Sequence, residues 1–201
     1  MVDTTVRTPA IDSWSVGRAI STGDESVAAM FERVFALGVD PGLSRCGYGV
    51  VGRTRAGLAV SSAGVIRTPT TDPLASRLAS LFAEMRRLLA EVEPDVVVVE
   101  RVLFQANART AMAVGQASGV ALVAAAEAGC PVVMYSPNEV KQAVTGYGSA
   151  TKEQVQRMVQ SLLRLPERPR PPDVADALAL AICHLTGTGL RAAVAAAGGT
   201  P

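Results

Sequence analysis

The chain is poor in charged residues, in aromatic rings and in cysteine. Only 18% of its 201 residues are charged and 4% are aromatic, whereas 49% are hydrophobic. This composition excludes an intrinsically disordered chain, which has low hydrophobicity and high charge. So few aromatic side chains also argue against a protein that stacks the successive bases of a long single strand. The length and hydrophobic fraction suit one domain with its own core.

The three cysteines stand far apart, at Cys46, Cys130 and Cys183, without a Cys-x-x-Cys pair. An odd, scattered set excludes a disulfide framework and lacks the spacing of zinc ligands. We therefore expect each cysteine to be a small buried hydrophobic residue, and the chain to work in the reducing cytoplasm.

Membrane and secretion signals are also missing. Residues 1–30 contain no apolar run of the kind that a signal peptide needs. The longest uncharged stretch, residues 110–126, is interrupted by glycine, glutamine and serine and is too short to span a bilayer. It is interpreted as a buried helix.

Net charge is +1, which alone gives no case for a nucleic-acid partner. The charges are unevenly distributed, because residues 1–33 hold five acidic and three basic residues and the remainder holds 16 basic and 13 acidic ones. If four of those acids sit together and bind metal, the rest of that surface is distinctly basic.

Hydrophobic periodicity predicts an alternation of strands and helices. The strands are expected at 34–39, 47–52, 58–66, 95–100 and 131–135, and the valine-rich fourth one is typical of the centre of a parallel sheet. Helices are expected at 72–92, 107–128, 138–144, 151–163 and 173–185. The pattern predicts an α/β fold, with a mixed five-stranded sheet and helices on both faces.

The same pattern divides the chain into three parts. A single domain is predicted over 34–187, because periodicity is clear only there. Residues 1–33 mix polar and charged types without periodicity and are expected to form a flexible extension. Residues 188–201 are rich in glycine and alanine and are expected to form a flexible tail.

Four carboxylates stand where a site could form. Asp40 ends the first strand and Glu100 ends the valine-rich one, so both project at one edge if these strands are parallel neighbours. Asp173 and Asp176 are three residues apart and share one helix face. Such acids repel one another unless they share protons or bind a cation. Oxygen ligands without His or Cys select Mg²⁺ or Mn²⁺, and two such ions can drive phosphodiester hydrolysis.

Each acid also has an ordinary structural explanation. Asp40 precedes Pro-Gly, which is common turn chemistry, and Glu100 fits a surface acid at a strand end. Asp173 after two prolines suits a helix N-cap, and Asp176 in the first turn suits the helix dipole. The residues alone therefore leave capping and catalysis open, and only their combination favours a metal site.

Four segments, in order, resemble the RuvC family of Holliday junction resolvases. They are the strand and turn at 38–49, Val99-Glu100-Arg101-Val102 with the later Gly115-Gln-Ala-Ser-Gly119, the basic segment 139–152, and the closing helix 173–184. The resemblance covers about residues 34–187. It implies an RNase H-like fold with four metal-binding, catalytic acids, which are Asp40, Glu100, Asp173 and Asp176.

The resemblance also implies an activity and partners. The enzyme would resolve four-way DNA junctions in recombination and repair by paired nicks that leave 5′-phosphate and 3′-hydroxyl ends. Two Mg²⁺ ions, or Mn²⁺ in their place, are expected in each active site, with Asp40 bridging them from its rigid strand. A homodimer would supply two active sites, and the branch-migration proteins RuvA and RuvB would be partners.

Several other residues are candidates for DNA contacts. Lys141 and Lys152 match family lysines that meet DNA near the active site, and lysine is a point charge suited to phosphate. The family has an aromatic residue three positions after the second acid. Here that position is Leu103 and the aromatic is Phe104, and either side chain could enter an opened base step. Candidate arginines are Arg109, Arg101, Arg157, Arg164, Arg168 and Arg170.

Two features have competing interpretations. Gly115 and Gly119, four residues apart on an alanine-rich helix, allow close approach either of a second copy or of the chain's own sheet. His184, the single histidine, lies two helical turns after Asp176 and is expected to be structural.

Three other functions fit parts of the sequence. Actin-like and sugar-kinase ATPases share a strand with an acid and glycine near its end, but need a second domain and more phosphate loops. A non-catalytic junction-binding module would have lost one or more acids, and all four are present. A third possibility is another RNase H-like nuclease, such as one acting on RNA, but the basic segment and the closing helix favour the RuvC family.

Overall fold

The computed structural model describes residues 11–13, 31–101 and 108–196. One mixed sheet runs in the order β1-β4-β3-β2-β5-β6. Its strands are β1 (Ile11–Ser13), β2 (Phe31–Asp40), β3 (Arg45–Thr54), β4 (Gly57–Arg67), β5 (Val96–Glu100) and β6 (Val132–Tyr135). The helices are α1 (Leu74–Val92), α2 (Ala108–Glu127), α3 (Pro137–Thr145), α4 (Lys152–Leu162) and α5 (Pro172–Ala196).

Strand β2 lies at the centre of the sheet and joins its two halves. It pairs antiparallel with β3 and parallel with β5, so that Val39 lies opposite both Tyr48 and Val99. Strand β6 extends the parallel half beside β5. Because β2 and β5 run in the same direction in this register, their last residues come to the same edge.

The two faces of the sheet bury different helices. Side chains alternate along a strand, and Val98 accordingly packs with the buried side of α5, while Val97 packs with α1 and α2. Helices α3 and α4 complete the α5 side, through residues such as Val140 and Val155. The sequence prediction of helices on both faces is therefore confirmed.

Three strand glycines let α5 lie unusually close to the sheet. A Cβ atom at Gly38 would stand 1.9 Å from the carbonyl oxygen of Ala177, and one at Gly47 would stand 2.2 Å from that of Asp173. At Gly49 it would meet the side chain of Leu178 at 2.7 Å. No larger residue fits at the first two positions unless α5 moves, so these glycines fix the height and position of the helix over β2 and β3.

The predicted elements are present with small shifts in their boundaries, and two differences are larger. The short strand β1 pairs with β4 and adds a sixth strand from the segment predicted as an extension. Helix α5 continues to Ala196, although it was predicted to end at 185. The alanines after Arg191 have the highest helix propensity and outweigh the two glycines at 187 and 189. The division into a domain and two flexible ends stays a prediction.

Helix α2 corrects the expectation of a buried helix at 110–126. Only 28% of the segment Thr110–Glu127 is buried, and this segment is apolar and long enough to cross a membrane by length and composition alone. Small side chains such as Ala117, Ala121 and Ala124 pack on the sheet. The opposite side of the helix therefore remains open.

The cysteines follow the prediction in two of three cases. Cys46 and Cys183 are buried, and burial raises the pKa of Cys46 to about 12. Cys130 is only partly buried because it lies in the loop before β6, where its Sγ donates a hydrogen bond to the carbonyl oxygen of Pro94 at 3.2 Å. The three thiols are free.

Candidate active site

The two strand-end acids are neighbours at one edge of the sheet. Asp40 is the last residue of β2 and Glu100 the last of β5, and the residues just before them, Val39 and Val99, are paired in register. Both acids are partly buried. The sequence prediction that parallel strands bring them to the same edge is confirmed.

The other two acids are held above that edge by the first turns of α5. Val174 and Ala177 point into the core and are completely buried, which leaves Asp173 and Asp176 on the side facing the strand ends. The close contact between Gly47 and the backbone of Asp173 sets the position of this end of the helix. The structure thus brings all four predicted acids into one region.

Each helix acid is paired with a cation from a different element. Arg45, the first residue of β3, donates from its Nη2 to Oδ2 of Asp173. Lys152, the first residue of α4, places its Nζ 3.4 Å from Oδ2 of Asp176. Thr151 fixes the start of α4 through a capping box with Gln154, so the position of the lysine is set by local sequence.

Burial and neighbouring negative charge raise the pKa values of Asp40, Glu100 and Asp176. The pKa of Asp40 is raised to about 7, first by burial and then by the charges of Asp176, Glu100 and Asp173, while Lys152 opposes the rise. Burial and the charge of Asp176 raise the pKa of Glu100. Burial also raises the pKa of Asp176 against the effect of Lys152. The site as it stands therefore holds more negative charge than its two cations balance.

This charge excess tests whether the residues fit a metal. Carboxylate oxygens without His or Cys are the donors that hard divalent cations prefer. Burial first, and then the neighbouring carboxylates, raise the pKa of Asp40, and a bound cation would favour its ionised form. Within the described ranges no group of three acidic, histidine or cysteine side chains is close enough together to hold a metal ion, and Asp173 and Asp176 pair with Arg45 and Lys152 instead. The chemistry of the donors fits a hard divalent cation such as Mg²⁺.

The predicted DNA contacts are placed only in part. Lys152 lies in the site, and Lys141 on α3 is near enough for its charge to lower the pKa of Glu100. Leu103 and Phe104 lie outside the described residues. Arg109 belongs to α2, but its side chain also lies outside them. These contacts stay predictions.

Arg101 and His184 make contacts within the chain. Nη2 of Arg101 donates to the carbonyl oxygen of Met134 at 3.4 Å. Nδ1 of His184 lies 3.1 Å from the hydroxyl of Tyr135, a contact in agreement with the structural role predicted for this histidine.

Sequence reasoning missed one residue of the site. Arg45 was not singled out, although it precedes Gly47 by two positions and therefore lies on the same face of β3, next to α5. No local sequence signal marks it, because the helix terminus above Gly47 is known only from the fold.

Comparison with known proteins places the chain among named relatives. A family model described as crossover junction endodeoxyribonuclease RuvC matches residues 36–184. The RuvC enzyme of Moorella thermoacetica is 53% identical over 152 residues, which is 74% of this chain and 89% of the relative. That of Salinispora arenicola is 54% identical over 162 residues, covering 80% and 93%.

A solved structure agrees with this placement. Thermus thermophilus RuvC in complex with Holliday junction substrate superposes with a TM-score of 0.75 at 38% identity, covering 79% of this chain and 97% of that one. The region that the family model matches contains both strand-end acids and both helix acids. The chain therefore belongs to the RuvC family of crossover junction endodeoxyribonucleases, whose RNase H-like fold it shares.

Proposed function

We propose that this protein is a Mg²⁺-dependent endonuclease that resolves four-way DNA junctions by paired nicks in recombination and repair. The observation that carries the proposal is the position of Asp40 and Glu100 at the ends of parallel neighbouring strands, beneath the two acids of α5, within the region that the family model matches. A cytoplasmic location agrees with three free cysteines.

The four acids would hold the cations together. Asp40, the last residue of the central strand, would be one ligand. Glu100, Asp173 and Asp176 would complete their ligands, with Mn²⁺ able to replace Mg²⁺. When bound, the ions would activate a water molecule and stabilise the leaving 3′ oxygen of the phosphodiester. The expected products carry 5′-phosphate and 3′-hydroxyl ends.

The lysines near the acids would bind the DNA backbone. Lys152 is strongly exposed apart from its contact with Asp176, so it can turn to a phosphate once cations neutralise that acid. Lys141 would add a second phosphate contact beside Glu100. Leu103 or Phe104 would enter the opened base step at the junction centre, and Arg109 would contact the backbone nearby.

A homodimer would place two such sites on one junction. The open side of α2 carries Met112, Gly115, Gly119 and Val123 at helical spacing, and the two apolar side chains are 65% and 53% exposed. A Cβ atom at either glycine would meet no described atom within 4 Å, so these glycines do not serve packing on the chain's own sheet. A second copy of α2 could approach closely here.

RuvA and RuvB are proposed as further partners on the basis of family membership. Branch migration by these proteins would deliver the junction to the dimer. Native electrophoresis of the junction with each protein alone and with all three together would test this. A slower-migrating complex that needs every protein supports the partnership, and independent binding contradicts it.

Cleavage of a labelled synthetic four-way junction tests the central proposal. A linear duplex of the same sequence is the matched substrate, and each is incubated with Mg²⁺ or with EDTA. Paired, symmetric nicks that DNA ligase can reseal are expected in the junction alone, and they should disappear in EDTA and in Asp40→Asn. Equal cutting of both substrates would contradict junction selectivity, and an RNA–DNA hybrid would then be the next substrate.

A further inference from the structure

The side chain of Arg45 is directed at Asp173 by the packing of α5 on β3. Arg45 and Gly47 lie on the same face of β3, and the missing side chain of Gly47 lets the backbone of Asp173 contact the strand. Arg45 therefore emerges beside the carboxylate of Asp173 and donates to its Oδ2. The pair follows from the geometry of the fold rather than from chance contact of two long surface side chains.

Hydrogen bonds from Arg77 and Thr68 hold the turn that precedes Arg45 in place. Nη2 of Arg77 donates to Oγ of Ser44 at 2.7 Å, and its Nε donates to Oγ1 of Thr68 at 3.0 Å. The backbone of Thr68 donates to the carbonyl oxygen of Ser44 at 3.3 Å. The backbone position of Arg45 is thus fixed, while its side chain is 44% exposed and has room to swing into solvent.

The ion pair between Arg45 and Asp173 affects how the site can bind a cation. Arg45 cannot lose its proton under ordinary conditions, so it is a permanent countercharge in a cluster of four acids. A divalent cation coordinated by Asp173 would meet the guanidinium as a like charge on the same carboxylate. The guanidinium and the cation therefore compete for Asp173.

We propose that Arg45 is a positioning residue that holds Asp173 in the cation-free site and is displaced when cations bind, so that it lowers the affinity of the site for divalent cations. The proposal rests on the proposed function, because it assumes that the four acids hold metal. In this role Arg45 changes its partner when cations bind and does not contact the reacting atoms.

The proposal predicts opposite changes in two properties of Arg45→Gln. Binding of Mn²⁺ without DNA, measured by calorimetry and by the electron paramagnetic resonance signal of free Mn²⁺, should tighten about three- to tenfold. The melting temperature in EDTA should fall, because Asp173 loses its countercharge. A merely structural arginine would lower stability and leave Mn²⁺ binding unchanged or weaker.

Three further variants make the test specific. Arg45→Lys keeps the charge and should bind Mn²⁺ much as the wild type does. Arg55→Gln removes the same charge from the turn at the other end of β3, where the side chain is exposed, and should change neither property. In an Asp173→Asn background, Arg45→Gln should no longer tighten binding, because the carboxylate for which the two cations compete is gone.

The outcomes separate the inference from the proposed function. If the wild type binds Mn²⁺ and Arg45→Gln binds it equally or more weakly, the exchange is wrong and the nuclease proposal stands. If the wild type binds no Mn²⁺ and its junction cleavage survives EDTA, both are wrong. Tighter binding in Arg45→Gln, reversed by Asp173→Asn, supports the exchange.

Discussion

At Asp40, the arrangement of charge that the proposed chemistry needs lowers the stability of the folded protein. Its carboxyl group is held by the central strand among three other acids, and its pKa is raised to about 7. The folded protein thus retains a proton that the unfolded chain releases near pH 4. Active sites often keep such unfavourable charge arrangements because function needs them.

Replacing this acid should therefore raise stability while it abolishes cleavage. For Asp40→Asn at pH 7.5 in EDTA, we expect a gain of about 2 kcal/mol in the free energy of unfolding, or ~4–8 °C in melting temperature. Junction cleavage in Mg²⁺ should fall by more than about 100-fold, since one of the proposed metal ligands is lost. Scanning calorimetry and the labelled-junction assay measure the two effects. Glu167→Gln, in an exposed loop, is the control and should match the wild type in both.

The same carboxyl group predicts a pH dependence of the metal-free protein. Because the folded pKa lies above the unfolded one, this group's contribution to the free energy of unfolding should decrease as pH rises from about 4 to about 7. Glu100 and Asp176, whose pKa values are also raised, act in the same direction. Urea unfolding in EDTA at several pH values checks this. A steeper loss in the wild type than in Asp40→Asn is expected, and parallel curves would contradict it.

At the scale of elements, the placement of α5 depends on the glycines beneath it. Gly47→Ala forces a Cβ atom to within 2.2 Å of the carbonyl oxygen of Asp173, so the helix has to shift. We expect a loss of about 3 kcal/mol or more in the free energy of unfolding. Mn²⁺ affinity should fall as well, because both helix acids move.

A glycine within α5 itself provides the control. A Cβ atom at Gly187 meets no described atom within 4 Å, so Gly187→Ala should raise the free energy of unfolding by up to about 1 kcal/mol through helix propensity. Chemical denaturation and Mn²⁺ titration of both variants measure the difference. Equal effects would show that the contact under Asp173 does not position the helix.

Sequence reasoning placed the elements more accurately than their contacts. The periodicity of α1 and the valine run of β5 are local signals, and both elements formed within two residues of their predicted bounds. The roles of Gly38 and Gly47 were not predicted, because their requirement arises from a helix more than 120 residues away in the chain. The extension of α5 was missed because glycine was weighed above the alanines that follow.

The candidate site was likewise predicted where it depends on local sequence and missed where it depends on contacts between distant elements. Asp40 and Glu100 could be paired from sequence, because parallel strands end at one edge, and Asp173 and Asp176 could be placed on one helix face. Joining the two pairs needed the family resemblance, because no local rule says that the last helix crosses above those strands. Arg45 was missed for the same reason, since its partner is known only once α5 is in place.

At the scale of the whole molecule, the proposed homodimer depends on the open side of α2. Val123→Glu places a charge on that side, and we expect the protein to change from dimer to monomer in light scattering at micromolar concentration. Leu74→Glu is the control, because Leu74 is a similarly exposed apolar residue on α1, and this variant should stay dimeric. If Val123→Glu remains a dimer, another surface joins the two copies.

A monomeric variant should also lose the coordination between the two nicks. With one active site for each bound protein, Val123→Glu is expected to give single nicks and to lose the coordinated second one. A supercoiled plasmid carrying an extruded four-way junction reports this, because paired nicks linearise it and single nicks only relax it. Linear product at the wild-type rate would contradict the proposed role of the dimer.

The position of α5 also determines when during translation the protein can become a nuclease. Half of the site's acids lie on α5, which follows every other described strand and helix in the chain. A ribosome that has made residues 1–171 has produced both strand-end acids but no means of closing the site over them. A nascent or truncated chain of that length is therefore expected to leave DNA uncut, and the cell meets this enzyme only after its closing helix has been made.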